Sequence, residues 1–170
     1  KNALLCERLF PICRSITGEG FRQSLELIRQ LHPDMRVVNI PSGTRCFDWV
    51  VPKEWNVKDA YVIDPSGNKV IDFKKNNLHL MNYSIPVRKK MLLSELQSHL
   101  HSLPERPSAI PYVTSYYEPR WGFCISHEQR QNLIDGEYEI VVDTSIHDGN
   151  LTYGEVLIPG RTQEEIFITT

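Results

Sequence analysis

The chain has 170 residues, a formal net charge of -2 at pH 7 and 41% hydrophobic residues, enough to bury a core in one domain or in one domain with a small insertion. The longest basic run is Arg88-Lys89-Lys90, so the charge pattern does not favour nucleic-acid binding. No apolar stretch approaches the roughly 18 residues that span a bilayer, and we expect a soluble, cytoplasmic protein without membrane contact.

The first third of the chain predicts two helices. Apolar residues at helical spacing indicate a helix over 3–14, in which Pro11 should produce a kink or a fresh start. The pair Gly18 and Gly20 permits a tight turn. A second apolar stripe then predicts a helix over 21–32.

A change of period after this helix predicts a compact β module. Short β-prone runs alternate with the turn sequences PSG, PKEW and PSGN. The predicted strands are 35–40, 46–51, 60–64 and 69–73.

The middle of the chain predicts short elements separated by a connector. A capping box at Ser94 and leucines at helical spacing predict a short helix over 94–103. The proline-rich stretch 103–112 is typical of an extended connector. A strand over 121–125 follows, and a second capping box at Ser126 opens another short helix.

The last 35 residues predict strands, which makes the visible fold class α+β. The strands 138–146 and 150–158 flank the turn His147-Asp148-Gly149-Asn150, whose Asp-Gly pair indicates a hairpin. The apolar run 166–168 predicts a terminal strand over 165–169 that is buried on both faces.

The histidines and cysteines give weak signals for chemistry. Spacing of the six histidines matches no two-ligand motif, and His99 and His101 should point in different directions on a helix. The four cysteines lack disulfide-framework spacing and any Cys-x-x-Cys pair, so free structural thiols are expected. Cys124 and His127 could form a nucleophile and base, although a thiol in a strand is more often a core residue.

Aromatic residues form two groups that could fill a core or stack on sugar rings or a peptide. Arg120 follows Pro119 and stands beside Trp121, where it could anchor a carboxylate or stack on a ring. The groups are Phe47, Trp49, Trp55 and Tyr61, and Tyr112, Tyr116, Tyr117 and Trp121.

Five stretches of the sequence carry a resemblance to a known family. The stretches are LFPICRSITGEGFRQSL, VVPKEWNVKDAYVID with NLHLMNYSIP, YYEPRWGFCIS, and the closing DGEYEIVVDTSIHDGNLTYGEVLIPGRTQEEIFITT. They resemble segments of aminopeptidase-like proteins that are often labelled as polysaccharide-biosynthesis proteins. These are similar to zinc-dependent exopeptidases with an α/β core and a β-rich domain inserted near the N-terminus. The resemblance implies that 1–40 and 130–170 are the N-terminal helices and first sheet strands of the α/β domain. It also implies that 41–129 is the inserted domain.

The resemblance implies metal-assisted hydrolysis in the longer protein. Zinc lowers the pKa of bound water, which attacks a peptide or amide carbonyl, and a carboxylate accepts the proton. In that family the first ligand follows the strand to which 165–169 corresponds, so all ligands are expected beyond Thr170. We therefore expect no catalytic residue, no metal site and no zinc in this N-terminal fragment, which alone would be inactive on its small peptide-like substrate.

The fragment could still contribute walls to a substrate pocket, although buried structural hydrogen bonds explain the same residues at least as well. An unpaired apolar terminal strand would also favour a homo-oligomer. A glycan- or peptide-binding β module without catalysis, and a self-contained thiol enzyme, are the alternatives to the hydrolase. The pocket candidates are Arg14, Ser15, Tyr83, Ser84, Arg120 and Trp121.

Overall fold

Helices and antiparallel strands are mixed in the computed structural model of the chain, which describes residues 2–162 and 164–169 and confirms the α+β class. The helices are α1 (Asn2–Leu9), α2 (Glu19–Arg29), α3 (Leu93–Leu96) and α4 (His127–Gln131). The strands are β1 (Arg36–Pro41), β2 (Arg45–Cys46), β3 (Trp49–Val50), β4 (Glu54–Ile63), β5 (Lys69–Asp72), β6 (Val87–Leu92), β7 (Leu100–His101), β8 (Phe123–Cys124), β9 (Glu137–His147) and β10 (Asn150–Glu155).

The two N-terminal helices follow from proline and glycine chemistry. The predicted helix over 3–14 ends at Leu9, because Pro11 cannot donate a helical hydrogen bond and disfavours helical geometry in the residue before it. Gly18, with a φ of 94°, precedes α2. The helix α2 buries Leu25 of its predicted apolar stripe and half-buries Phe21 and Ile28.

A four-stranded antiparallel sheet in the order β5-β4-β9-β6 carries the core. Alternate residues of its long strands face one side, as the two-residue period of a strand requires. The side chains that they bury form one cluster with Leu80, which follows the 3₁₀ turn Asn77–His79, and with Phe123 of β8. They include Trp55, Ala60, Val62, Tyr138, Ile140 and Val142.

The predicted Asp-Gly hairpin between 138–146 and 150–158 is wrong, because β9 and β10 belong to different sheets. β9 pairs with β4 and β6, whereas β10 pairs with β1. The intervening turn is held by Ser42, whose N–H donates to the Gly149 carbonyl at 2.9 Å and whose Oγ accepts from the Gly149 N–H at 3.1 Å. These bonds direct the chain to β1 rather than back along β9.

Two predictions within the β module also need correction, and a later strand was missed. The single strand 46–51 is a tight pair, β2 and β3, because Phe47 adopts a positive φ of 54° and turns the chain. The sequence PKEW is not a separate turn, since β4 begins at Glu54. β6 was not predicted: it is an edge strand whose solvent-facing basic run 88–90 hides the apolar alternation.

The predicted helix over 94–103 is broken into shorter pieces. α3 begins one residue before Ser94, which makes no capping hydrogen bond, and a 3₁₀ turn Gln97–His99 continues it. The chain then becomes β7, which pairs in parallel with β8. The second capping box is confirmed, since Ser126 Oγ accepts from the Gln129 N–H at 3.0 Å at the start of α4.

The predicted terminal strand over 165–169 is not formed by the described residues. Ile166, Phe167 and Ile168 are 90%, 89% and 85% exposed, and no strand pairs with them. A strand needs a neighbour to satisfy its backbone hydrogen bonds, and none reaches this segment. The preceding predicted strand ends at Glu155, where its partner β1 begins at Arg36.

The division into 1–40 with 130–170 and 41–129 stays a prediction. The four-stranded sheet includes strands from both sides of the boundary at residue 130, because β9 pairs with β4 and β6.

In the described part of the chain, none of the helices has both the length and the apolar character needed to cross a membrane.

Candidate functional site

A buried hydrogen-bond network centres on the Tyr83 hydroxyl, which lies between the α1–α2 connection and the start of β4. Its oxygen lies 2.7 Å from Thr17 Oγ1 and donates to the Lys53 carbonyl at 3.1 Å. Thr17 Oγ1 in turn accepts from the Trp55 N–H at 3.2 Å. Burial raises the pKa of Tyr83, which keeps the hydroxyl protonated so that it can donate.

The ring of Tyr83 is fixed by two other aromatic rings. Trp55 stacks on it with centroids 5.6 Å apart, and Tyr117 meets it edge-on at 4.7 Å. A glycan- or peptide-binding module should expose Trp49 or Trp55; Trp55 is only 3% exposed, whereas Trp49 is 38% exposed. Such contacts hold the positive φ of 62° at Tyr83, which a tyrosine adopts only at a cost.

Ser84 is fully buried and has its polar atoms occupied. Its Oγ donates to the Met81 carbonyl at 2.7 Å and accepts from the Gly122 N–H at 3.3 Å. Its carbonyl accepts from Trp55 Nε1 at 3.0 Å and from Thr144 Oγ1 at 2.9 Å. These bonds give Ser84 a structural role in the described chain.

Arg14 and Ser15 organise the connection between α1 and α2. The Arg14 guanidinium donates to the Leu9 carbonyl at the end of α1, where a cation also complements the helix dipole. Ser15 Oγ donates to the Thr17 carbonyl at 2.7 Å and accepts from its N–H at 3.2 Å. Ser15 also lines a cleft whose other wall is the segment after β5.

Arg120 and Trp121 lie on the far side of the same network. Arg120 is exposed, pairs with Glu118 at 3.1 Å and donates to the Ser115 carbonyl at 3.3 Å. Trp121 stacks on His99 with centroids 3.7 Å apart, and the Lys89 ammonium lies 5.0 Å from its ring centre.

The segment 82–85 contains Tyr83 and Ser84 and is hydrogen-bonded to Arg14 and Arg120. Ser15 joins it through Thr17, whereas the Trp121 carbonyl hydrogen-bonds His99 Nδ1 at 3.1 Å. Asn82 Nδ2 donates to the Arg14 carbonyl at 3.1 Å, and the Ile85 N–H donates to the Arg120 carbonyl at 3.0 Å. Of the predicted set, the two arginines are exposed, whereas Tyr83 and Ser84 are buried. The two guanidinium groups can contact a ligand, whereas Tyr83 and Ser84 can only hold the arginine-bearing segments in place.

The turn at Tyr116 and Tyr117 is a feature that sequence reasoning missed. Both residues have a positive φ, 51° and 70°, and the Glu118 N–H closes the turn on the Ser115 carbonyl at 3.2 Å. Such turns normally use glycine or asparagine, and left-handed geometry costs about 1–2 kcal/mol for other residues. The sequence places Tyr116 and Tyr117 in an aromatic group, but no residue pattern predicts their left-handed backbone geometry. The Tyr116 side chain is 76% exposed and lies four residues before Arg120 in the sequence.

The pairing of Cys124 with His127 is wrong. Burial raises the pKa of the Cys124 thiol to about 12, so it is not a thiolate at neutral pH. His127 Nδ1 instead hydrogen-bonds Ser102 Oγ at 3.1 Å. A self-contained thiol enzyme therefore lacks its activated nucleophile.

The residues described here do not fit a zinc site. Over 2–162 and 164–169, no three His, Cys, Asp or Glu side chains come together in a way that could hold a metal ion. Structural and catalytic zinc sites use at least three such protein ligands.

Residues 54–145 match a family described as a domain of unknown function, DUF2172, and the chain belongs to this family. The match begins with β4 and ends within β9, so it contains the four-stranded sheet and the segment 82–85.

Two comparisons with longer proteins confirm the resemblance to aminopeptidase-like proteins. The chain is 54% identical over 166 residues to a Clostridium acetobutylicum protein named "Putative polysaccharide biosynthesis protein with aminopeptidase-like domain". The match covers 98% of this chain and 38% of that relative's length. A crystal structure of a "putative peptidase" from Clostridium acetobutylicum superposes with a TM-score of 0.85 at 54% identity, covering 89% of this chain and 36% of that one.

Proposed function

We propose that the chain is the N-terminal part of a zinc-dependent, aminopeptidase-like hydrolase that cleaves a peptide or amide bond. The observation that carries the proposal is the 54% identity over 166 residues to a relative named for an aminopeptidase-like domain. The chain spans 38% of that relative's length, so the catalytic residues and zinc ligands are assigned to the rest of the longer protein.

In this proposal the chain contributes substrate contacts rather than chemistry. The strained turn presents the exposed ring of Tyr116, and the exposed Arg120 follows it and donates to the Ser115 carbonyl of that turn. The ring of Tyr83 holds the turn by packing on Tyr117. A guanidinium suits a substrate carboxylate, and an aromatic face suits an apolar side chain. The arrangement supports a wall that orients a small peptide-like substrate.

The test compares this chain with the longer Clostridium acetobutylicum relative under identical conditions. Both are purified without chelator, and we measure zinc content together with release of p-nitroaniline from an aminoacyl p-nitroanilide. We expect zinc and hydrolysis in the longer protein and neither in this chain. A longer protein that carries zinc but hydrolyses no aminoacyl or amide substrate would contradict the proposed reaction. Stoichiometric zinc in this chain would contradict the assignment of the ligands elsewhere.

A second candidate function is binding of a glycan or peptide without catalysis. Exposed aromatic rings favour it, since Phe47 is 92% exposed and Tyr112 is 65% exposed. Rings of this kind stack on apolar faces of ligands. Saturable quenching of intrinsic fluorescence by oligosaccharides, in a longer protein that has no hydrolase activity, would favour this function over the first.

A further inference from the structure

A cleft of about 620 Å³ opens between the segment that joins α1 to α2 and the segment that follows β5. Small-molecule sites usually have volumes of roughly 300–1,000 Å³. We propose that this cleft binds a small carboxylate with an apolar body. This inference goes beyond the proposed hydrolase function and does not depend on it.

Apolar side chains form the inner surface of the cleft. Ile12, Val57 and Phe73 are partly buried and line it, with the buried Trp55 beside them. Phe10, which is 78% exposed, contributes an aromatic ring to the lining. An apolar ligand body gains free energy by covering such surface, at about 25 cal/mol per Å² removed from water.

The position of the Phe10 segment is tied to the opposite wall. Asn77 Nδ2 donates to the Phe10 carbonyl at 3.3 Å, so the two walls are joined on one side of the opening. Close packing at Gly20 also fixes the segment, because a Cβ added there would lie 1.9 Å from the Cys13 carbonyl oxygen. A wall held in this way binds with less loss of conformational entropy than a mobile loop.

The charges that line the cleft leave one ammonium group outside a salt bridge. Glu19 pairs with Arg22 at 3.0 Å, and Lys74 pairs with Asp59 at 2.9 Å. The nearby Asp72 carboxylate pairs with Lys69 at 3.8 Å. None of the salt bridges between described residues includes Lys75, which lines the cleft and is exposed. The charged residues that line the cleft are Glu19, Lys74 and Lys75, and Arg22, the partner of Glu19, is shared with Glu54. Lys75 is therefore the lining ammonium group that a ligand carboxylate would meet.

Amide groups supply the directional part of the site. Asn56 uses both of its polar atoms within the protein, since Oδ1 accepts from the Glu19 N–H at 2.7 Å and Nδ2 donates to Glu54 at 3.0 Å. Asn76 uses only its Oδ1, which accepts from the Leu78 N–H at 3.0 Å, so its Nδ2 can donate. An ammonium and an amide N–H on one wall match a carboxylate, which only accepts hydrogen bonds.

The test is a titration of this chain, labelled with ¹⁵N, with N-acetyl-L-phenylalanine and with its neutral analogue N-acetyl-L-phenylalaninamide. The two probes differ only in the carboxylate. We expect amide shifts around 10–13 and 74–77, with the acid binding about threefold more tightly or better. Equal affinities for acid and amide, no binding by either probe, or shifts centred on 112–121 would overturn the proposal.

Variants at two exposed lysines separate a specific contact from overall charge. Lys75→Gln removes the unpaired ammonium of the cleft, and Lys90→Gln removes a lysine of β6 that pairs with Glu137. We expect Lys75→Gln to abolish the preference for acid over amide and Lys90→Gln to retain it. Retention of the preference in Lys75→Gln, with a native amide spectrum, would assign the carboxylate to another group and refute the site.

Discussion

At the scale of single residues, the Glu54 carboxylate joins three parts of the chain. Arg22 of α2 donates to its two oxygens at 3.0 and 2.7 Å, and the Asn150 N–H of β10 donates at 3.2 Å. Asn56 adds a fourth bond at 3.0 Å. The Arg22 hydrogen bond is the largest cause that lowers the pKa of Glu54 to about 2, although burial opposes it.

We predict that this carboxylate makes stability depend on acid pH. Its folded pKa of about 2 lies below the ordinary value of 4.5, so the contribution is complete above pH 4.5 and is lost as the pH falls towards 2. Arg22 is 35% exposed and solvent screens the pair, so we expect a loss on the order of 2 kcal/mol. Urea unfolding at a series of pH values measures it.

Two substitutions isolate Glu54 from the other acids. Glu54→Gln keeps the shape of the side chain but does not titrate, so the fall in unfolding free energy between pH 4.5 and 2 should become shallower. Glu137→Gln removes an exposed carboxylate and should leave the slope nearly unchanged. A wild-type slope in Glu54→Gln would show that other groups cause the acid sensitivity.

The candidate site illustrates what residue patterns can and cannot predict. The motif NYSIP drew attention to Tyr83 and Ser84 by resemblance, and the structure joins both to distant parts of the chain. Buried structural hydrogen bonds were one of the two sequence-based interpretations of these residues, but their partners could not be predicted, because Thr17 and Thr144 are 66 and 60 residues away in sequence. The geometry of Tyr116 was equally hidden, since local propensity assigns positive φ to glycine and asparagine.

At the scale of elements, the start of α2 depends on close packing at Gly20. Its missing side chain lets the Cys13 carbonyl oxygen approach to a point 1.9 Å from where a Cβ would stand. Alanine is the better helix former by about 1 kcal/mol, so propensity alone would favour a substitution. The clash of the added Cβ with backbone atoms of Cys13 outweighs this gain, so the substitution should destabilise the protein.

We predict that Gly20→Ala lowers the free energy of unfolding by about 2 kcal/mol or more, because α2 or the segment before it must shift. Urea denaturation of the variant measures the loss. Gly160→Ala is the matched control, since the nearest atom to its added Cβ is 3.9 Å away. A Gly20→Ala protein as stable as the control would mean that the contact relaxes without cost.

Local patterns predicted elements best where a boundary signal was present. The glycines at 18 and 20 and the apolar periodicity after them predicted α2, and the capping box at Ser126 predicted α4. β6 was missed because an edge strand carries charges on its exposed positions, which removes the alternation that indicates a strand. The hairpin prediction failed because Asp-Gly chemistry fixes a turn and not the partner of the strand that follows.

At the scale of the whole molecule, the exposed run Ile166, Phe167 and Ile168 supports a proposal of self-association. Contiguous apolar surface of this kind is a site of aggregation or of docking between chains. We predict that this chain forms concentration-dependent oligomers, detected by light scattering coupled to size-exclusion chromatography. The variant with serine at all three positions should have a smaller average mass.

The comparison variant for this prediction carries serine at Leu157 and Ile158, which are each 84% exposed but lie outside the terminal run. It should associate more than the triple variant at the same concentration. Equal association of both variants with the unaltered chain would assign the contact to another surface. A monomeric mass of the unaltered chain at all concentrations would contradict the proposal.

The pairing of β1 with β10 has a consequence for synthesis on the ribosome. Arg36 and Glu155, which close this pair with a salt bridge, are 119 residues apart in sequence. At a translation rate of about 5–20 residues per second, β1 waits roughly 6–24 s for its partner to be made. During that interval its backbone edge is open to other nascent chains. A chaperone that binds β1 during this interval would therefore shield its open edge from pairing with other chains.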